Sequence, residues 1–208
     1  TITDACGNTV TPAPTMSVSG SDRTAPQFQN GAGFNYSING QNRCYNNIDL
    51  SVLDTDESVK GMYTDCDSIT VSHVDNPSGN NCGWNVQRVF TVSDGCNSTT
   101  LYQSLSGSDQ NSPHLKEGSS LPTNENQTVC FSDRAAAPAN DIIKALYEDD
   151  CSNITVSYAG ETINESSNCG WETTYNYTIS DGCSVNDVTV NLLQSGADNS
   201  APTYTGTM

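Results

Sequence analysis

Gly20-Ser21-Asp22-Arg23-Thr24-Ala25-Pro26-Gln27-Phe28 is written again as Gly107-Ser108-Asp109-Gln110-Asn111-Ser112-Pro113-His114-Leu115. It appears a third time as Gly196-Ala197-Asp198-Asn199-Ser200-Ala201-Pro202-Thr203-Tyr204. Each copy is preceded by a short cysteine motif: Thr3-Asp4-Ala5-Cys6, Ser93-Asp94-Gly95-Cys96 and Ser180-Asp181-Gly182-Cys183. Cys96 and Cys183 are 87 positions apart, as are Trp84 and Trp171, and Asp22 and Asp109; Asp109 and Asp198 are 89 apart. A fixed period of domain size marks a tandem array of small domains. Residues 1–25 therefore read as the closing third of a preceding repeat. Residues 26–112 and 113–201 read as two complete immunoglobulin-like repeats, and 202–208 as the start of the next junction.

Within each repeat the apolar residues alternate with period two, the mark of half-buried strands. Trp84, Val86, Phe90 and Val92 share one face, matched by Trp171, Tyr175, Tyr177 and Ile179. Ile69, Val71 and His73 form another, matched by Ile154, Val156 and Tyr158, while Leu101 and Leu105 are matched by Val188 and Leu192. Gly95 and Gly182 stand between consecutive strands, where a tight hairpin needs positive φ. The pattern predicts an all-β chain of tandem antiparallel β-sandwiches stapled by disulfides. The stretches 56–63 and 140–147 break the alternation and suit helical turns.

The chain of 208 residues carries a net charge of −17 and is only 34% hydrophobic. So acidic a surface repels nucleic acid and anionic lipid and offers carboxylates to divalent cations. A repeat this poor in apolar residues needs covalent or metal support. The nine cysteines supply it and point to an oxidising exterior. No apolar run is long enough to span a membrane as a helix. The chain opens in mid-repeat and reads as a piece of a longer exported protein.

Each repeat holds four cysteines, and four cysteines allow three connectivities. An immunoglobulin-like strand order favours Cys66–Cys82 and Cys151–Cys169 at one end of each sandwich. It leaves Cys44–Cys96 and Cys130–Cys183 for the other. Cys6 aligns with Cys96 and Cys183 and is expected to be unpaired here. Zinc is the rival reading, but no close CxxC pair or histidine cluster supports it.

Asp4-Ala5-Cys6-Gly7-Asn8, followed by a strand and Asp22-Arg23-Thr24-Ala25-Pro26, resembles the hyalin-repeat type of immunoglobulin-like module. With four cysteines and Asp65-Cys66, it is more similar to repeats of very large cell-surface adhesins of Bacteroidota. These include the gliding-motility adhesin exported by type IX secretion. Both complete repeats depart from the pattern in having Asp-Gly-Cys at 94–96 and 181–183. The resemblance implies export to the cell surface, adhesion, and neighbouring repeats of the same chain as partners.

Catalysis is not expected. His73 aligns with Tyr158 and His114 with Thr203, so neither histidine recurs, and the chain has no GxSxG turn, Walker loop or HExxH pair. Asp22, Asp109 and Asp198, each four residues before a proline at a junction, are the candidate calcium ligands. Their placement is similar to the calcium-stiffened linkers of cadherins. One aspartate is too few for calcium, so Asp65 and Asp67, or Asp149 and Asp150, are the expected helpers. The hairpin residues Asp4, Asp94 and Asp181 lie at the far end of each repeat. The resulting function is a force-bearing stalk for a surface adhesin. The alternative is glycan recognition through loops 75–81 and 160–168, with Trp84 and Trp171 read as core residues instead of sugar platforms.

Overall fold

A computed structural model describes residues 2–10, 15–29, 33–203 and 205–206. Tyr204 of the third junction motif, and parts of the expected segments 1–25 and 202–208, lie outside the described residues. The chain is all-β with short helical turns. It begins with a hairpin of β1 (Ile2–Thr3) and β2 (Thr9–Val10). The first repeat then contributes β3 (Gln27–Phe28), β4 (Ser37–Asn42), α1 (Asp56–Lys60), β5 (Tyr63–Thr64), β6 (Thr70–Asn80), β7 (Gly83–Ser93) and β8 (Ser98–Ser108). The second repeats the order with β9 (His114–Leu115), β10 (Asn124–Gln127), α2 (Asn140–Leu146), β11 (Tyr147–Glu148), β12 (Thr155–Ser167), β13 (Gly170–Ser180) and β14 (Val188–Gly196).

Each repeat has one four-stranded sheet, β4-β8-β7-β6 or β10-β14-β13-β12, and one two-stranded sheet, β3-β5 or β9-β11. β13 pairs antiparallel with both β12 and β14. The outer strands β4 and β10 instead pair parallel with β8 and β14. Gly95 and Gly182 take the hairpin corners at φ 93 and 96, a left-handed conformation that only glycine enters without strain.

By its contacts the chain divides into two units. One comprises Thr1–Phe34, Asp54–Val74 and Val89–Tyr102; its core gathers Phe34, Val59, Tyr63, Phe90, Val92 and Leu101. The other comprises Asn35–Leu53, Asp75–Arg88 and Gln103–Met208. It holds two clusters, one around Trp84, Val86, Leu53 and Leu105, the other around Ile143, Tyr175, Tyr177, Ile179 and Leu192. The alternating faces expected of β7 and β13 supply Trp84, Val86, Phe90, Val92, Tyr175, Tyr177 and Ile179 among them. The helical turns expected at 56–63 and 140–147 form as α1 and α2, which bury Val59 and Ile143. Thr55 caps α1 by accepting the Ser58 amide.

The disulfides correct the expected pairing. Cys44 is bonded to Cys151 and Cys82 to Cys183, so both bonds run from the first repeat to the second. Cys6, Cys66, Cys96, Cys130 and Cys169 are free thiols. None of Cys44–Cys96, Cys66–Cys82, Cys130–Cys183 and Cys151–Cys169 is formed.

The second repeat shows the reason. Cys151 precedes β12 and Cys169 follows it, so a 13-residue strand lies between them. At roughly 3.3 Å per residue that strand is about 40 Å long, far beyond disulfide reach. Cys130 follows β10, whose parallel pairing sets Gln127 beside Gly196 at the end of β14, whereas Cys183 lies before that strand begins. The first repeat has the same layout: β6 separates Cys66 from Cys82 in the chain, and Cys44 follows β4. The first repeat thus reaches the second through Cys44 and Cys82, and the second meets it with Cys151 and Cys183.

Candidate functional site

The junction between the repeats is assembled from the ends of β8 and β6 on one side and the turns before β12 and after β13 on the other. Asp109, just past β8, donates its amide to the Asn81 carbonyl at 2.7 Å; Asp198 does the same to Asn168. Its Oδ1 accepts the Asn111 amide at 3.0 Å. The same short turn recurs at Asp22 with Thr24 and at Asp198 with Ser200. Asp and Asn favour such turns because their side chains bond backbone amides two residues on.

Asn81 is the main polar clasp. Its Nδ2 donates to the Cys151 carbonyl and to Ser152 Oγ, both at 2.8 Å, while its Oδ1 accepts the Tyr45 amide. Asn111 Nδ2 donates to Asp150 Oδ2 at 3.0 Å, and Asn186 Nδ2 reaches the Asp109 carbonyl at 3.3 Å and Asp181 Oδ2 at 2.9 Å. The two disulfides flank this network.

Three carboxylates meet inside it. Asp109, Asp149 and Asp181 each place an oxygen so that all three oxygens lie within 4.8 Å of one another. Asp109 is 2% exposed and Asp181 is buried. Backbone amides hold the group in place: Asp149 Oδ1 accepts from Cys151 and Ser152, and Asp181 Oδ1 from Cys183. Two oxygens remain bare, since Asp109 Oδ2 and Asp149 Oδ2 are buried with no hydrogen-bond donor among the described residues. Burial pushes the Asp109 carboxyl above the usual carboxylate range, and the negative charges of Asp149, Asp150 and Asp181 push it further.

The preceding junction holds a copy. Asp22, Asp65 and Asp94 form an equivalent group, with Asp22 and Asp94 each 87 positions before Asp109 and Asp181. There Cys66 is still a thiol, and its Sγ donates to Asp65 Oδ1 at 3.4 Å and to Asp22 Oδ2 at 3.5 Å. Those bonds to the two carboxylates, Asp65 first, push the thiol up to about 11.

Of the three expected calcium ligands, Asp22 and Asp109 fall in these groups. Asp198 falls in none among the described residues and accepts instead from Ser200 and Cys130. Asp94 and Asp181, in the hairpins after β7 and β13, lie at the far end of their own repeats. That end meets the junction with the repeat before it, which is where they join Asp22 and Asp109. Asp67 belongs to a second group with Asp22 and Cys66, whereas Asp150 is grouped only with the bonded Cys44 and Cys151.

The candidate glycan loops also need correction. Residues 75–81 and 160–168 lie mainly within β6 and β12 and are strand. Trp84 and Trp171 are 4% and 2% exposed, with their indole N–H groups bonded to the carbonyls of Arg43 and Val129. Both rings are core residues. His73 is hydrogen-bonded to Asp56 on α1.

No protein-family model and no curated protein matches this chain. Two solved structures show slight likeness. An endo-fucoidan hydrolase of glycoside hydrolase family 107 has a TM-score of 0.22 at 14% identity, with 63% of this chain and 24% of that one covered. Drosophila N-cadherin EC1-4 has a TM-score of 0.30 at 11% identity, with 84% and 49% covered. The chain thus spans about a quarter and about half of their lengths, and neither likeness carries an argument about function.

Proposed function

We propose that this chain is a stretch of the stalk of a large exported cell-surface adhesin, serving adhesion or gliding by holding a distal binding region away from the cell. The observation that carries the reading is the direction of the disulfides: both bond one repeat to the next. A bond inside a repeat stabilises that repeat alone. Two bonds across a junction also stop the repeats from parting under load. Such bonds persist outside the reducing cytosol, which supports an extracellular setting.

The free cysteines fit the same plan. Cys66 and Cys96 stand where Cys151 and Cys183 stand, and Cys130 and Cys169 where Cys44 and Cys82 stand. In an array, Cys130 and Cys169 bond to the following repeat, and Cys66 and Cys96 to the one before. Each bond forms as two thiols lose two protons and two electrons to a small-molecule disulfide, which is reduced to two thiols.

Force spectroscopy on the chain, pulled from its ends, tests the reading. While oxidised, the Cys44–Cys151 bond shields the 107 positions it spans. Reduction then releases about 350 Å of further extension, at roughly 3.3 Å per residue. Equal extension with and without reductant overturns the stalk reading, as does saturable, sequence-specific binding on a glycan array.

A further inference from the structure

The junction sulfur chemistry has a consequence for the carboxylates beside it. In the Asp22 group the Cys66 thiol has one hydrogen within reach of both Asp65 Oδ1 and Asp22 Oδ2, and gives it to one of the two carboxylates at a time. The sulfur of its counterpart Cys151 is locked in a disulfide with Cys44 and carries no hydrogen. Asp109 Oδ2 and Asp149 Oδ2 are the oxygens left bare. No Lys, Arg or His among the described residues forms an ion pair with Asp109, Asp149 or Asp181. Buried carboxylates without a counter-charge are costly, and a cation is the usual remedy.

We propose that Asp109, Asp149 and Asp181 form a calcium site that closing the Cys44–Cys151 bond creates. The donors are all hard oxygens, the neighbouring sulfurs are oxidised, and no imidazole is in the group, so the thiolates and imidazoles that select zinc and copper are missing. Calcium tolerates an irregular shell of carboxylates, carbonyls and waters, whereas magnesium demands near-octahedral geometry and keeps its own waters. Backbone amides already occupy the Oδ1 atoms of all three aspartates, so the shell is irregular, and the affinity falls in the extracellular range of about 10⁻⁴–10⁻³ M. The Asp22 group is the same site in its thiol state, with the Cys66 hydrogen in the cation's place.

The test is isothermal titration of the oxidised 208-residue chain with calcium chloride and, separately, magnesium chloride, paired with thermal unfolding. One calcium site is expected, with magnesium at least about tenfold weaker. Asp109→Asn and Asp149→Asn should each weaken calcium at least about tenfold, and Asp198→Asn should leave it unchanged. Calcium should raise the melting temperature of the parent and of Asp198→Asn, but not of the other two variants; Asp149→Asn stands in if Asp109→Asn misfolds. No saturable heat up to about 10 mM calcium overturns the site. So does undiminished binding in Asp109→Asn and Asp149→Asn, or equal binding after Cys44→Ser/Cys151→Ser removes the bridge. Failure here leaves the stalk reading standing, because that rests on the bonds alone.

Discussion

Cys44 and Cys151 are 107 positions apart in the chain, yet their Cα atoms lie 5.0 Å apart and their sulfurs are bonded. The bond closes a loop longer than either repeat. Cross-linking a loop of that length stabilises by about 4–5 kcal/mol in the chain-entropy account. Replacing both cysteines by alanine should cost about that much in denaturant unfolding. Proteolysis without reductant followed by mass spectrometry should recover a 44–151 linked peptide; a 44–96 peptide would sink the pairing.

Gly107 and Gly196 close the two sheets against the tryptophans. A Cβ on Gly107 would sit 2.3 Å from the Gln41 carbonyl oxygen and 2.5 Å from Trp84 Cζ2. On Gly196 the distances are 2.5 Å to the Gln127 oxygen and 2.6 Å to Trp171 Cζ2. Backbone oxygens cannot step aside as a flexible side chain does. Gly107→Ala and Gly196→Ala should each lose about 1–3 kcal/mol, read by denaturant melts.

The Cys66 thiol, pushed up to about 11 by its bonds to Asp65 and Asp22, should resist alkylation although it is exposed. The thiolate is the nucleophile, so at pH 8 only about one molecule in a thousand is reactive. Iodoacetamide should label Cys96 and Cys169 well before Cys66, and Asp65→Asn should bring Cys66 into step. Cys66 labelling first in the parent would contradict the geometry.

Two aspartates should respond to pH in opposite directions. The Asn97 and Cys96 amides hold the Asp94 carboxyl below the usual range, so its stabilisation is present above the ordinary carboxylate value and is lost as pH falls through the folded value. Asp109 is raised by burial, so its contribution is present in acid and is lost as pH rises through the folded value. With chelator present, Asp94→Asn should be less stable than the parent at pH 7 and Asp109→Asn more stable. Both gaps should narrow between pH 7 and pH 3, the Asp109 gap more completely because its carboxyl titrates higher than that of Asp94. Melts at the two pH values check the signs.

The features that were legible in the sequence are local. The alternation along β7 and β13, the glycines of positive φ and the helical turns at 56–63 and 140–147 each depend on residues a few positions apart. Those positions are adjacent in space whatever the rest of the chain does. The repeat at 87 positions carried this reading from one copy to the other. The cysteine pairing failed because it required knowing at which end of a sheet each loop emerges. The parallel pairing of β10 with β14 decides that for Cys130, and the 13-residue length of β12 decides it for Cys151 and Cys169. The aspartate groups escaped for the same reason. Asp94 and Asp181 were assigned correctly to the far ends of their repeats, but not to the neighbours they meet there.

The order of residues alone thus settled the period, the all-β class and the faces that turn inward, since these follow from side-chain spacing along a pleated backbone. Only the folded chain settled which sulfurs join and which carboxylates crowd together. Those meetings cross between 29 and 107 positions and are created by strand pairing, which no short window of sequence contains.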